Sequence, residues 1–381
     1  PLPVMLSPDE PFDCHGVYSG SALIEGTEMY LYYTGNVKHP GDYDYIKQGR
    51  GHNVCLAVSH DGKTVASKQC LLYNKDYPAG LTCHVRDPKV FAYEGKYYMV
   101  LGARTLEDKG EVLVLESTDK LHWNHINTLT TPETFGYMWE CPDLFCLDGQ
   151  WYLAVSPQGI QCQNVYGCGY FAVYGDWRGE CTLGEFHEMD SGFDYYAPQS
   201  FVDENGRRIQ IGWMGMPDAD YGNAPTVAHG WQHCFTVPRL LTKGPGGTLL
   251  QNPVPELDAR RSAAALTLRN GEEASLSPCF DLTAAPAGDF ALTVARGVEL
   301  VYTEQDSTCV LQFTDPAQAS GRTQRRTKLS APCRSVRVVG DRSSLEIFLN
   351  DGAAVFSTRY YPAAGDVAVK ISGTDALVYS L

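Results

Sequence analysis

At 381 residues the chain is longer than one ordinary domain. Lys+Arg 30 against Asp+Glu 45 gives a formal net charge of −15 with His neutral, which argues against nucleic acid and membrane surfaces as partners. A hydrophobic fraction of 44% with 20% charged residues is globular, and no apolar run approaches the roughly 18 residues of a spanning helix. The 37 Gly and 22 Pro, set among 23 Tyr, 14 Phe and 6 Trp, predict short strands and frequent turns, an all-β chain. Thirteen Cys, an odd number with no C-x-x-C pair, read as free thiols of a reducing compartment rather than a disulfide framework, and the chain has no Asn-x-Ser/Thr sequon. The expectation is a cytoplasmic protein. Pro1-Leu2-Pro3-Val4 has neither a signal pattern nor an initiator Met, so the chain is expected not to begin where its gene begins.

Four segments in chain order share one layout of polar start, hydrophobic strand, turn and second strand: Val17 to Gly26, Arg86 to Gly95, Glu140 to Gly149 and Tyr196 to Gly206. Their starts are 69, 54 and 56 residues apart, the size of a four-stranded propeller blade with loops. An open meander of unrelated hairpins is the alternative. In a propeller the first residues of the inner strands surround one axis, which would bring Tyr18, Arg86, Asp87, Glu140 and Tyr196 together.

The repeat fades after Trp231 to Arg239, where Gly244-Pro245-Gly246-Gly247 and Asn252-Pro253-Val254-Pro255 suggest a linker over 244–261 with a short helix near Glu256–Arg261. From Ser262 onward, Ala291 to Ala295, Ser335 to Val338 and Leu345 to Leu349 alternate with period two, and Asn350-Asp351-Gly352 reads as a tight turn. The division predicted is a propeller over 1–243 and a β-sandwich over 262–381.

Arg86-Asp87-Pro88 sets a carboxylate beside a guanidinium at one strand start, and Glu140-Cys141-Pro142-Asp143 sets a second carboxylate at the equivalent point of the next repeat. Two carboxylates facing one channel are what glycoside hydrolysis requires. A strand-end acid taken alone is more often a turn cap or an ion-pair partner. Trp139, Tyr195, Tyr196, Trp213 and Trp231 offer stacking faces for sugars or, equally, core filling; Ser19 and Gln199 are small polar groups able to hold ring hydroxyls.

Together, Tyr-Ser-Gly-Ser-Ala at 18–22, Arg-Asp-Pro at 86–88, Glu-Cys-Pro-Asp at 140–143 and Tyr-Ala-Pro-Gln at 196–199 resemble glycoside hydrolase family 32, the family of invertases, sucrose-6-phosphate hydrolases, inulinases and levanases. Ser344 to Gly352 and Arg359-Tyr360-Tyr361-Pro362 resemble its C-terminal sandwich. The resemblance implies a five-bladed propeller, its first blade incomplete here, followed by a sandwich, and retaining cleavage of β-D-fructofuranosides. It also implies Glu140 as general acid/base and Asp87 as the carboxylate that binds fructosyl hydroxyls and stabilises the transition state. Arg86 would be its neighbour, with Tyr18, Ser19, Tyr196 and Trp213 in the fructose pocket.

The family's nucleophile is the Asp of a Trp-Met-Asn-Asp-Pro-Asn-Gly motif, which residues 1–381 do not contain. Repeat spacing expects that unit before Val17. A chain without it should hydrolyse poorly and leave strand edges unpaired, lowering stability and favouring aggregation. The alternative is a fructoside-binding propeller protein without turnover. Asp9 and Asp13 precede the first repeat and are not read as nucleophile. The loop bearing Lys38, His39, Lys47, Arg50 and His52 is either a receptor for a 6-phosphate on the glucosyl unit or an ordinary solvated loop. His229-x-x-x-His233 has metal-ligand spacing, but strand-like neighbours favour a structural role, and His122-Trp123-Asn124-His125 reads as a solvent-facing turn. No cofactor and no metal are expected; the partner is a small sugar, and homo-oligomerisation stays open.

Overall fold

The computed structural model describes residues 3–363 and 365–381; the opening Pro1-Leu2 lies outside the described residues. The chain forms two compact units, one of Pro1–Gln161 with Gly169–His187, the other of Cys162–Cys168 with Glu188–Leu381.

The first unit contains three four-stranded antiparallel meanders. The first is β1 (Val17–Glu25), β2 (Glu28–Lys38), β3 (Arg50–Ser59) and β4 (Ser67–Leu72); the second is β5 (Leu81–Tyr93), β6 (Lys96–Thr105), β7 (Gly110–Ser117) and β8 (Asn124–Leu129). The third is β9 (Met138–Leu147), β10 (Gln150–Gln158), β11 (Gly169–Gly175) and β12 (Cys181–Glu188). Their hairpins follow from turn chemistry. Tyr93 pairs with Lys96 across Glu94-Gly95 (φ 48° and 78°), and Leu147 pairs with Gln150 across Asp148-Gly149 (φ 47° and 76°), two-residue turns with both centres left-handed. The middle strands are buried on both faces because neighbouring sheets cover them. Tyr32, Val54 and Leu56 of the first sheet pack on Met99, Leu101 and Leu113 of the second, whose other face, with Val100, Val112 and Val114, meets Leu144, Leu153 and Phe171 of the third. These are propeller blades.

The inner strands share one irregularity. β5 and β9 each break register just after their repeat starts, at Arg86 and Glu140, and so does the first strand of the sheet in the second unit, at Tyr196. In all three the next residue is left-handed, Asp87 at φ 66°, Cys141 at 49° and Ala197 at 50°, and the one after is Pro88, Pro142 or Pro198. A proline has no N–H to give the ladder, so it is accommodated where a bulge has already opened it. β1 breaks register at Tyr18/Gly20 without a proline.

The second unit holds a fourth such sheet, β13 (Tyr196–Val202), β14 (Arg208–Met214), β15 (Cys234–Phe235), β16 (Arg239–Lys243) and β17 (Leu249–Pro253). Here the structure corrects the boundary expected from composition. Gly244 to Gly247 is the turn joining β16 to β17, with Gly244 N donating to Thr248 O at 2.7 Å, so the blade pattern runs to Pro253 rather than stopping at 243. The expected short helix is a 3-10 turn at Pro255–Arg260. Two six-stranded antiparallel sheets follow, built from twelve strands between Leu266 and Ser380 and enclosing Phe280, Leu292, Leu300, Leu311, Val338, Ile347, Phe356 and Val369. Asn350 to Gly352 turns between two of these strands as expected, with all three residues at positive φ.

Arg239 is fully buried in this unit and pairs with Glu346 at 2.8 Å and Asp190 at 3.2 Å, while Gln251 accepts a further bond at 3.0 Å. Burial pushes both carboxyls up, and Arg239 pulls them back down. Arg239→Leu would leave two buried acids facing each other, and urea unfolding should show a loss of about 3–5 kcal/mol. A loss below about 1 kcal/mol would contradict this description of the network.

Candidate active site

In the first unit the structure brings together three of the residues singled out in the sequence. The bulges on β5 and β9 set Arg86 and Glu140 side by side, and an Arg86 guanidinium nitrogen donates to Glu140 Oε1. The same guanidinium lies 3.9 Å from Asp87 Oδ2 through its Nε. Asp87 Oδ2 also accepts the Cys141 backbone N–H at 2.9 Å and faces the Cys141 thiol at 3.6 Å. Gln158, at the end of β10, donates to Glu140 Oε2 at 2.8 Å. The two carboxylates thus stand on neighbouring inner strands with one guanidinium between them.

The first sheet supports this arrangement from the side. Thr34 Oγ1 accepts the Asp87 backbone N–H at 2.9 Å and donates to the Ser19 carbonyl at 3.2 Å, so exposed Ser19 is one residue removed from Asp87. Ser21 Oγ donates to Pro88 O at 2.8 Å and accepts from Val90 N at 3.0 Å, pairing backbone groups that the bulge leaves open. Tyr18 is partly exposed, its ring centroid 5.8 Å from that of His52, which lies 5.3 Å from that of His84. His84 Nδ1 in turn contacts Arg86 Nη1 at 2.7 Å.

The electrostatics follow from burial and one cation. Burial pushes the Asp87 carboxyl up, Arg86 pulls it down, and the Glu140 charge pushes it up again. For Arg86, burial opposes the charge, but Glu140 and Asp87 hold the guanidinium above its ordinary value. Cys141 is pushed well up by burial and by both carboxylates, which keeps it a thiol.

The remaining sequence-picked residues fall elsewhere. Tyr196 and Trp213 lie in the second unit as register partners on β13 and β14; Tyr196 is buried, 5.9 Å from the Tyr166 ring, and Trp213 meets His233 edge-on at 4.6 Å. Two of the proposed stacking faces are core residues. Trp139 is 0% exposed, stacked on Phe171 at 5.4 Å, and Tyr195 is 2% exposed with its hydroxyl donating to Gln210. Trp139 precedes its repeat start by one residue within β9, which places it on the opposite face, and Tyr195 lies just before β13. His229 and His233 share no helix, since the short helix ends at Val227. Asp119 accepts the His122 backbone N–H, in the exposed turn expected there.

Sequence reasoning missed Gln158, Thr34 and His84. Counting back from the Asp148-Gly149 turn would pair Glu140 with Pro157; the bulge shifts the partner to Ser156, which hid the nearness of Gln158.

Residues 1–253 match the description "Glycosyl hydrolases family 32 N-terminal domain", and residues 251–377 match "Glycosyl hydrolases family 32 C terminal". The chain belongs to glycosyl hydrolase family 32. This family-32 glycosidase is 38% identical over 394 residues to the sucrose-6-phosphate hydrolase of Bacillus subtilis (strain 168), covering 97% of this chain and 79% of that one. It is 37% identical over 374 residues to that of Klebsiella pneumoniae, with 94% and 76% covered. Among solved structures, the sucrose-6-phosphate hydrolase from Lactobacillus gasseri superposes with TM-score 0.88 at 25% identity over 99% of this chain and 80% of that one. The Bombyx mori GH32 β-fructofuranosidase gives 0.85 at 27% identity, with 100% and 81% covered. The propeller and sandwich of this chain are the family architecture. No helix among the described residues is long and apolar enough to cross a membrane.

Burial, with Arg86 next in effect, holds the His52 imidazole down at about 2 and that of His84 at about 3. In the unfolded chain the same groups take a proton near 6.5. The unfolded state therefore binds more protons between about pH 6.5 and 3, and stability falls as pH falls through that window, by up to about 1.4 kcal/mol per pH unit for each imidazole. Urea unfolding between about pH 7 and 5 should show a shallower pH slope for His52→Phe than for wild type. Identical slopes would contradict a neutral buried His52.

Proposed function

We propose that this site cleaves β-D-fructofuranosides with retention, acting in the cytoplasm on sucrose, on sucrose 6-phosphate, or on short fructo-oligosaccharides. The observation that carries the reading is the pairing of Asp87 and Glu140 about one guanidinium, in a family-32 chain whose relatives include sucrose-6-phosphate hydrolases. In this reading Glu140 protonates the glycosidic oxygen as the bond to the fructosyl carbon breaks, so that the glucosyl unit leaves as an alcohol. Positive charge then builds on the fructosyl ring. Asp87 stabilises it as a carboxylate and accepts the ring hydroxyls, its position fixed by the Cys141 N–H and Arg86. Tyr18 and Ser19 border the sugar from the first sheet. Because burial holds the Asp87 carboxyl up, activity should fall on the acid side at a pH above the ordinary Asp value.

Retention also needs a nucleophilic carboxylate roughly 5–5.5 Å from the acid. Asp13 does not serve: it is fully buried, 2.7 Å from Lys68 Nζ and 2.7 Å from the Tyr33 hydroxyl that donates to it. Asp9 pairs with the same lysine. We therefore expect the 381-residue polypeptide by itself to release fructose from sucrose slowly or not at all; fast release abolished by Glu140→Gln would contradict this. In a form extended to carry the family's nucleophile motif, Glu140→Gln should lower turnover of sucrose by about 10²–10⁴-fold. The loss should be much smaller for an aryl fructoside whose leaving group needs no proton. Equal losses on both substrates would rule out Glu140 as the acid.

A further inference from the structure

The loop basic in sequence does not act as one group in the structure. Lys38, His39 and Lys47 are exposed, whereas Arg50 and His52 turn inward on β3 toward His84 on β5. What gathers there is a set of donors short of acceptors. Arg50 Nη1 meets His84 Nε2 at 3.3 Å while Arg86 Nη1 meets His84 Nδ1 at 2.7 Å. A neutral imidazole can accept at only one of its nitrogens, so both guanidinium contacts cannot be satisfied at once. Arg50 Nε is buried without a hydrogen-bond partner. Neither ring nitrogen of His52, buried beside the Tyr18 and His84 rings, makes a hydrogen bond of good geometry; the Cys83 backbone acts on the ring, but less than burial or Arg86 does. Arg86 is balanced by Glu140 and Asp87, but Arg50 has no ion pair among the described residues. Lys38 and Arg50 both lie over the Tyr45 ring, which holds Arg50 in place from the loop side.

Buried donors without acceptors are costly, and a cation without a counter-charge more so. One compact ligand answers both deficits: a dianionic phosphate monoester presents three acceptor oxygens to a guanidinium fork and neighbouring imidazole N–H groups. The cluster adjoins the proposed acid through Arg86. We propose that Arg50 and His52, with His84 between the two arginines, form a phosphate subsite that selects a fructoside phosphorylated on its glucosyl unit. This rests on the fructosidase reading and names residues for its phosphorylated substrate.

Calorimetric titration of the 381-residue chain with sucrose 6-phosphate, sucrose and inorganic phosphate tests it without requiring turnover. Sucrose 6-phosphate should bind at least about 10-fold more tightly than sucrose, and Arg50→Gln should cut that ratio by roughly 10-fold, the share expected of one charge-assisted contact. Inorganic phosphate should compete with sucrose 6-phosphate. His52→Phe reads the same ratio should Arg50→Gln fail to give the wild-type circular dichroism spectrum. A wild-type preference that survives both variants overturns the subsite while leaving a phosphorylated substrate in place. No wild-type preference overturns the phosphorylated substrate and the subsite with it. Phosphate that binds without competing places the anion elsewhere and also overturns the proposal.

Discussion

The Arg86–Glu140 ion pair spans two blades, at the point where each inner strand has been bent by a bulge. Both partners are largely withdrawn from solvent, with side chains 10% and 17% exposed, so the pair works against desolvation and must be geometrically good to persist. The left-handed residues Asp87 and Cys141 each cost on the order of 1–3 kcal/mol. That strain is offset locally, by the Cys141 N–H on Asp87, by Thr34 on the Asp87 N–H, and by Arg86 on both carboxylates. Losing any of these leaves a buried charge or donor unpaired, a cost comparable to the strain itself. The Asp87–Arg86–Glu140 cluster and the blade seam are therefore one set of contacts.

The same geometry explains why part of the fold was legible in the sequence. Repeat starts at Arg86, Glu140 and Tyr196 stand out because each is followed two residues on by a proline, which the bulge accommodates. The hairpins were legible from Glu94-Gly95 and Asp148-Gly149, and the sandwich from its period-two strands. What was not legible depends on which face a side chain takes. Trp139 and Tyr195 adjoin the repeat starts in sequence but point into the core. The glycines at 244–247 looked like a break in structure because composition cannot distinguish a linker from a hairpin turn. His84 carried no signal, and nothing in the sequence set it beside His52, since their proximity depends on β3 packing beside β5.

A net charge of −15 and the proposed anionic substrate are compatible, because they apply at different ranges. At physiological salt the Debye length is about 8 Å, so the overall charge is largely screened at the site. Within contact distance Arg50, which has no ion pair among the described residues, sets the local field, since Arg86 is balanced by Glu140 and Asp87. The composition argued against extended polyanions, and it left a single phosphate on a small sugar open.

The proposed function requires Asp87 and Glu140 to face the same sugar from neighbouring blades. A crystal structure of the protein with fructose bound tests that most directly. The expected result is fructosyl hydroxyls on the Asp87 carboxylate, the anomeric oxygen within hydrogen-bond reach of Glu140, and Tyr18 at the edge of the ring. Fructose bound with Asp87 and Glu140 both uninvolved, their pairing through Arg86 undisturbed, would contradict it.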